Sequence, residues 1–124
     1  MQDHEVYEAI REEGFRRLVA AFYGQIPADN ILGPIYPADD LVGAEERLRA
    51  FLIYRFGGPE TYIERRGHPR LRMRHAPFRV DEAARQRWLE LMNRALDEVQ
   101  FSPAIRKILT AYFESTATAM INSG

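Results

Sequence analysis

Residues 67–78 read Gly67-His68-Pro69-Arg70-Leu71-Arg72-Met73-Arg74-His75-Ala76-Pro77-Phe78. Two prolines bracket a run long enough for two helical turns. Pro69 suits a first turn, where its missing N–H costs nothing. Pro77 pushes Ala76 out of the α region and ends the helix there. Leu71 and His75 are four residues apart and share one face, and the arginines at 70, 72 and 74 flank it. The stretch therefore offers one imidazole from an apolar side with cations beside it. Haem suits that arrangement, with a neutral histidine on iron, apolar contacts to the porphyrin and arginine near the propionates. A satisfied structural histidine with a solvated arginine face suits it too. On these twelve residues alone the structural reading carries more weight, because single histidines are common.

Working outward toward the N-terminus, Pro59 to Arg66 has room for one or two helical turns, with Gly67 as a stop. Gly57-Gly58-Pro59 makes a corner. Before it, Leu41, Ala44, Leu48, Phe51 and Leu52 trace the inward face of a helix, with Asp40 as its expected cap. Residues 28–40 carry Gly33-Pro34 and Tyr36-Pro37, which predicts a rigid loop with at most one short turn. Phe15, Leu18, Val19, Phe22 and Ile26 form a helical stripe that Pro27 ends, with Tyr23 on its edge. Gly14 reads as punctuation, and residues 4–12 as a short helix or a frayed end.

Toward the C-terminus, Asp81 is the expected cap of a helix with Ala84, Trp88, Leu91, Met92, Ala95, Leu96 and Val99 on one broad face. Ser102-Pro103 is a cap followed by a first-turn proline. Ile105, Ile108, Leu109, Tyr112, Thr116, Ala119 and Met120 form the expected inward face of the last helix. No stretch alternates as a strand does. The expected fold is all-α, with helices at 15–26, 40–56, 81–99 and 103–121, in a single domain over 1–124. Such faces make an ordinary four-helix core or enclose a flat apolar ligand, and pattern alone leaves both open.

Composition narrows the chemistry. The chain has 124 residues, a net charge of −1 and no cysteine. Disulfides, thiolate chemistry and iron–sulfur clusters are excluded, leaving histidine and carboxylates as metal ligands. A near-neutral charge argues against binding nucleic acid through overall charge. No apolar run reaches membrane-spanning length and the first residues do not read as a signal peptide, so no membrane association and a cytoplasmic location are expected.

Taken together the residues resemble the truncated haemoglobins, small globins with two helix pairs packed one over the other around haem, and most of all their second group. The residues that carry this are Phe22-Tyr23; Tyr36-Pro37 with Asp39-Asp40-Leu41; Gly43-Ala44-Glu45-Glu46-Arg47-Leu48; Phe56-Gly57-Gly58-Pro59; the whole of Gly67–Phe78; and Trp88. The block around His75 is long and specific, and it reverses the weighting that the twelve residues receive alone. The resemblance implies haem b as cofactor and His75 as the proximal iron ligand. It implies that Tyr23, Tyr36 and Trp88 line the distal side, donate hydrogen bonds to a gas ligand and carry any catalysis. Ala44 stands where many globins place a distal histidine, and Leu48 walls the distal pocket. Arg47, Tyr62 and Arg74 are expected near the propionates, and Phe51, Leu71, Phe78 and Met92 against the porphyrin. The family's usual glycine pair before the first long helix is reduced here to Gly14, which leaves the packing of residues 1–13 open.

The implied function is binding of O2, CO and NO with slow O2 release, supporting redox, NO or peroxide chemistry with an electron donor or reductase as partner. NO dioxygenation and peroxidase-like catalysis stay open as activities, and a homodimer stays open as an assembly. A dedicated peroxidase wants a distal acid–base group, and the distal candidates here are tyrosines and a tryptophan. The competing reading from another class is a haem-free helical module that uses the arginines of residues 65–79 on phosphate.

Overall fold

The computed structural model of the chain describes residues 1–60, 64 and 80–122. Among these, the structure is helical, with no strand. Helix α1 spans Val6–Tyr23, α2 Leu41–Arg55, α3 Glu82–Val99 and α4 Pro103–Ala119. Short 3₁₀ turns at Asp3–Glu5 and Ala38–Asp40 lead into α1 and α2. The expected helices are thus found, with one boundary far off.

That boundary is the start of α1. The expected break at Gly14 is absent, and the helical stretch runs back to Val6. The interruption lies instead at Arg11, whose φ of 59° is left-handed. Gly14 is there for closeness: a Cβ on it would stand 2.6 Å from the Cβ of Ile10. The residues whose packing was open are docked. Val6 is fully buried. The Tyr7 N–H donates to the Phe56 carbonyl at 3.0 Å, and the Tyr7 ring stacks on Phe15 at 6.4 Å. Gly57, at φ +98°, lies so close to the His4 carbonyl that no side chain fits. At its other end α1 stops at Tyr23 rather than at Ile26, and tighter turns follow as far as Pro27. A proline disfavours the α region for the residue before it, so the helix unwinds ahead of it.

Asp40 precedes α2 but its side chain does not cap it; the carboxylate pairs with Arg47 at 2.5 Å instead. Asp81 does cap α3, accepting from the Ala84 N–H at 2.9 Å. Ser102 caps α4 through the Ile105 N–H at 3.4 Å, with Pro103 in the first turn. The inward face of α4 differs from the expected one. Leu109, Phe113 and Ala117, spaced by four, are buried together with Ile105, while Ala119 is exposed.

Helix α1 packs on both α2 and α3, and α3 on α4. The core between them holds Phe15, Phe22, Phe56, Leu52, Leu96 and Leu109, all at most 1% exposed. Each such side chain contributes about 1.5–3 kcal/mol by leaving water. Val80, two residues before α3, is tied to the end of α4: its N–H donates to the Asn122 side-chain oxygen and its carbonyl accepts the Asn122 N–H, both at 2.8 Å. No helix among the described residues is long and apolar enough to cross a membrane.

Candidate functional site

Helical periodicity turns Ala44, Leu48 and Phe51 to one side of α2 and Ala84 and Trp88 to one side of α3. Between these faces, α4 and the connection 24–40 lies a cavity of about 280 Å³. Leu32, Ile35, Leu48, Phe51, Val80 and Phe113 give it apolar walls. Two half-buried cations also line it. Arg47 is held by Asp40, and Arg85 donates to the Thr118 hydroxyl at 2.9 Å and to Glu82 at 3.2 Å.

Three hydrogen-bonding side chains meet on one wall. Tyr23 arrives from the last turn of α1, Tyr36 from the connection and Trp88 from the middle of α3. The rings of Tyr23 and Tyr36 meet edge to face at 5.6 Å. Trp88 is wedged between Phe22 at 5.1 Å and Phe113 at 5.5 Å. The Tyr23 hydroxyl and the Trp88 indole are the polar neighbours of the Tyr36 hydroxyl. Indole has only a donor to give, so toward its neighbours here Trp88 can act only as a donor. Burial pushes the Tyr36 hydroxyl up to about 12, although the neighbouring donors Trp88 and Tyr23 favour its ionised form. Burial raises Tyr23 further, and neighbouring Tyr36 adds to this, against an opposing pull from Arg47. Both phenols are therefore protonated at neutral pH and act as donors, not bases.

The cavity suits a flat apolar group with an anionic edge: broad aliphatic and aromatic walls, hydrogen-bond donors on one side, and two guanidinium groups for carboxylates. Haem has that chemistry. The family described as Bacterial-like globin matches residues 5–122. A group 2 truncated haemoglobin of Bacillus subtilis, YjbI, is 40% identical over 116 residues, 94% of this chain and 87% of that protein. This chain belongs to the group II truncated haemoglobins. Solved structures of such globins superimpose closely. A thermostable haemoglobin from Thermobifida fusca matches with a TM-score of 0.90 and 49% identity, over 94% of this chain and 96% of that one. A truncated haemoglobin of Bacillus subtilis described as oxygen-avid matches with a TM-score of 0.89 and 39% identity, over 94% and 98%. The fold of this globin is accordingly the two-over-two helical sandwich, its cofactor is haem with its iron, and it binds oxygen.

Of the residues singled out from the sequence of this globin, Tyr23, Tyr36, Ala44, Arg47, Leu48, Phe51 and Trp88 lie together on the cavity wall. Met92 is packed in the core at 1% exposure and is not among the side chains lining the cavity. Tyr62, Leu71, Arg74, His75 and Phe78 lie outside the described residues, as does the arginine-rich run 65–79. The sequence reading did not single out Leu32, Ile35, Arg85 and Phe113 as cavity-lining residues. Phe113 could have been found from its spacing of four to Leu109 and Ala117. Leu32 and Ile35 sit on a connection with no period to read.

Proposed function

We propose that this globin binds O2, CO and NO between His75 as proximal ligand and the Tyr23–Tyr36–Trp88 group, and that it releases O2 slowly. The observation that carries the reading is the convergence of three donors on one wall of a cavity whose other walls are mainly apolar. Haem, when bound, would supply the iron that takes up a diatomic gas, and His75 would hold it. The protein's part is to hold protons where that gas lies. The Trp88 N–H and the Tyr23 and Tyr36 hydroxyls are the protons this wall offers to the gas, and the indole can do nothing but donate. O2 acquires negative charge and gains from such a donor, whereas CO gains little. Ala44 presents no imidazole to compete for the gas. Arg47, with Tyr62 and Arg74, takes the propionates, while Phe51, Leu71 and Phe78 belong to the apolar surround. The relative described as oxygen-avid supports strong retention.

Slow release disfavours simple storage and favours redox chemistry, NO or peroxide detoxification, in the cytoplasm with a reductase as electron donor. Phenols held protonated are poor general bases, which argues against a dedicated peroxidase. Stopped-flow dissociation of O2 and CO from the wild type and from Trp88→Phe tests the reading. Removing a hydrogen bond to charge, about 1.5–3 kcal/mol, speeds O2 release roughly ten- to hundred-fold, with a smaller change for CO. Equal acceleration of both gases makes Trp88 a steric wall and counts against the reading.

A further inference from the structure

The donors that meet in the cavity come from different elements, and their meeting depends on how the connection 24–40 is fixed to α3. The Gln25 side-chain amide donates to the Leu91 carbonyl at 2.8 Å at one end of the connection, and an ion pair fixes the part that carries Tyr36. Arg87, the neighbour of Trp88, donates through Nη1 to Asp29 Oδ1 at 2.7 Å and to Asn30 Oδ1 at 3.3 Å. Its Nε lies 3.4 Å from Glu90 on the next turn of the same helix. The Asp29 side chain is only 7% exposed. Its second oxygen accepts the N–H groups of Ile31 at 3.1 Å and Leu32 at 2.8 Å. The Leu32 carbonyl then accepts the N–H groups of Ile35 at 2.9 Å and Tyr36 at 3.3 Å.

An unbroken path thus runs from the guanidinium beside Trp88, through one carboxylate and the backbone of one residue, Leu32, to the backbone of Tyr36. The turn it crosses is tight: a Cβ on Gly33 would stand 2.5 Å from the Asp29 carbonyl. Burial opposes the charge of Asp29, but the Leu32 N–H, Arg87 and the Ile31 N–H outweigh it and hold the carboxyl below its ordinary value. A buried carboxylate deprived of its cation is left uncompensated, so the pair acts as a unit.

We propose that Asp29 and Arg87 are positioning residues for the distal donors, setting the approach of Tyr36 to Trp88 and so the balance between O2 and CO release. The proposal rests on the cavity reading given above. Neither residue lines the cavity. Their effect is transmitted through the placement of the two that do, and a donor displaced by a fraction of an ångström loses much of its effect.

The test uses Arg87→Met, Asp29→Asn, the double variant and Arg87→Lys, with two readouts. Trp88 is the sole tryptophan of the chain, so in the haem-free protein its emission reports the indole environment. Arg87→Met and Asp29→Asn both shift that emission in the same direction and lower its anisotropy, although Asp29 is far from Trp88 in sequence. In the haem-loaded protein both speed O2 release roughly three- to tenfold, with less than a twofold change for CO. The double variant does no more than either single one, and Arg87→Lys recovers part of the effect. Asp29→Asn keeps size and shape, and carries the test if Arg87→Met does not fold. Unchanged emission and an unchanged ratio of O2 to CO release, with only a lower melting temperature, overturn the proposal. If Trp88→Phe itself leaves O2 release unaltered, the reading of the cavity fails and this inference with it. If Trp88→Phe acts and neither Asp29→Asn nor Arg87→Met does, only the positioning role is overturned.

Discussion

Tyr36 shows how one side chain acquires its role from its surroundings. A free phenol ionises near pH 10. Here burial lifts the group to about 12, while two donors partly hold it down. The folded protein therefore keeps Tyr36 neutral where an unfolded chain would begin to lose the proton. The sign follows: the stability tied to this neutral phenol is complete below about pH 10 and is lost as pH rises toward about 12. Absorbance titration of the phenols in the haem-free protein should show a late alkaline phase coupled to unfolding. Tyr36→Phe should remove one tyrosine from that phase and extend stability to higher pH. A titration of the variant indistinguishable from the wild type, apart from one fewer phenol ionising near pH 10, would contradict the burial described here.

At the scale of the element, what was legible in the sequence was what repeats. Ala44, Leu48 and Phe51 could be placed on one face of α2, and Trp88 on the inward face of α3, because a helix repeats every 3.6 residues. Asp81 and Ser102 were readable as caps because a capping oxygen must stand before the first turn. Asp40 has the same chemistry and position, yet Arg47 seven residues on competes for its carboxylate and wins. That outcome depends on where a long side chain swings, which no local pattern records. Gly14 misled for a similar reason, since a glycine that breaks a helix and one that lets Ile10 pack closely look alike in a sequence. The caps give a clean comparison. Asp81→Ala should cost about 1 kcal/mol through the lost bond to the Ala84 N–H. Asp40→Ala should leave the start of α2 intact, since its side chain makes no cap bond there. Thermal or urea unfolding of the two variants, with helix content by circular dichroism, checks the contrast.

At the scale of the molecule, helix number and order followed from hydrophobic periodicity and proline placement. The closure of the cavity did not, because it depends on pairings distant in sequence. Asp29 with Arg87 is one, and the Tyr7 N–H on the Phe56 carbonyl is another. The reciprocal bonds between Val80 and Asn122 are a third, and they have a kinetic consequence. Each residue protects the other's amide, one through a backbone carbonyl and one through a side-chain oxygen, so parting the segment before α3 from the tail after α4 exposes both protons at once. The Val80 and Asn122 amides should therefore exchange with deuterium at matched rates, both slower than the fraying last turn of α4. Asn122→Ala should release the Val80 amide first and the Asn122 amide only partly, because the backbone bond survives. Two unrelated exchange rates in the wild type would mean that the segment leading into α3 and the tail after α4 open independently, and that the hairpin of α3 and α4 is not sealed at its base.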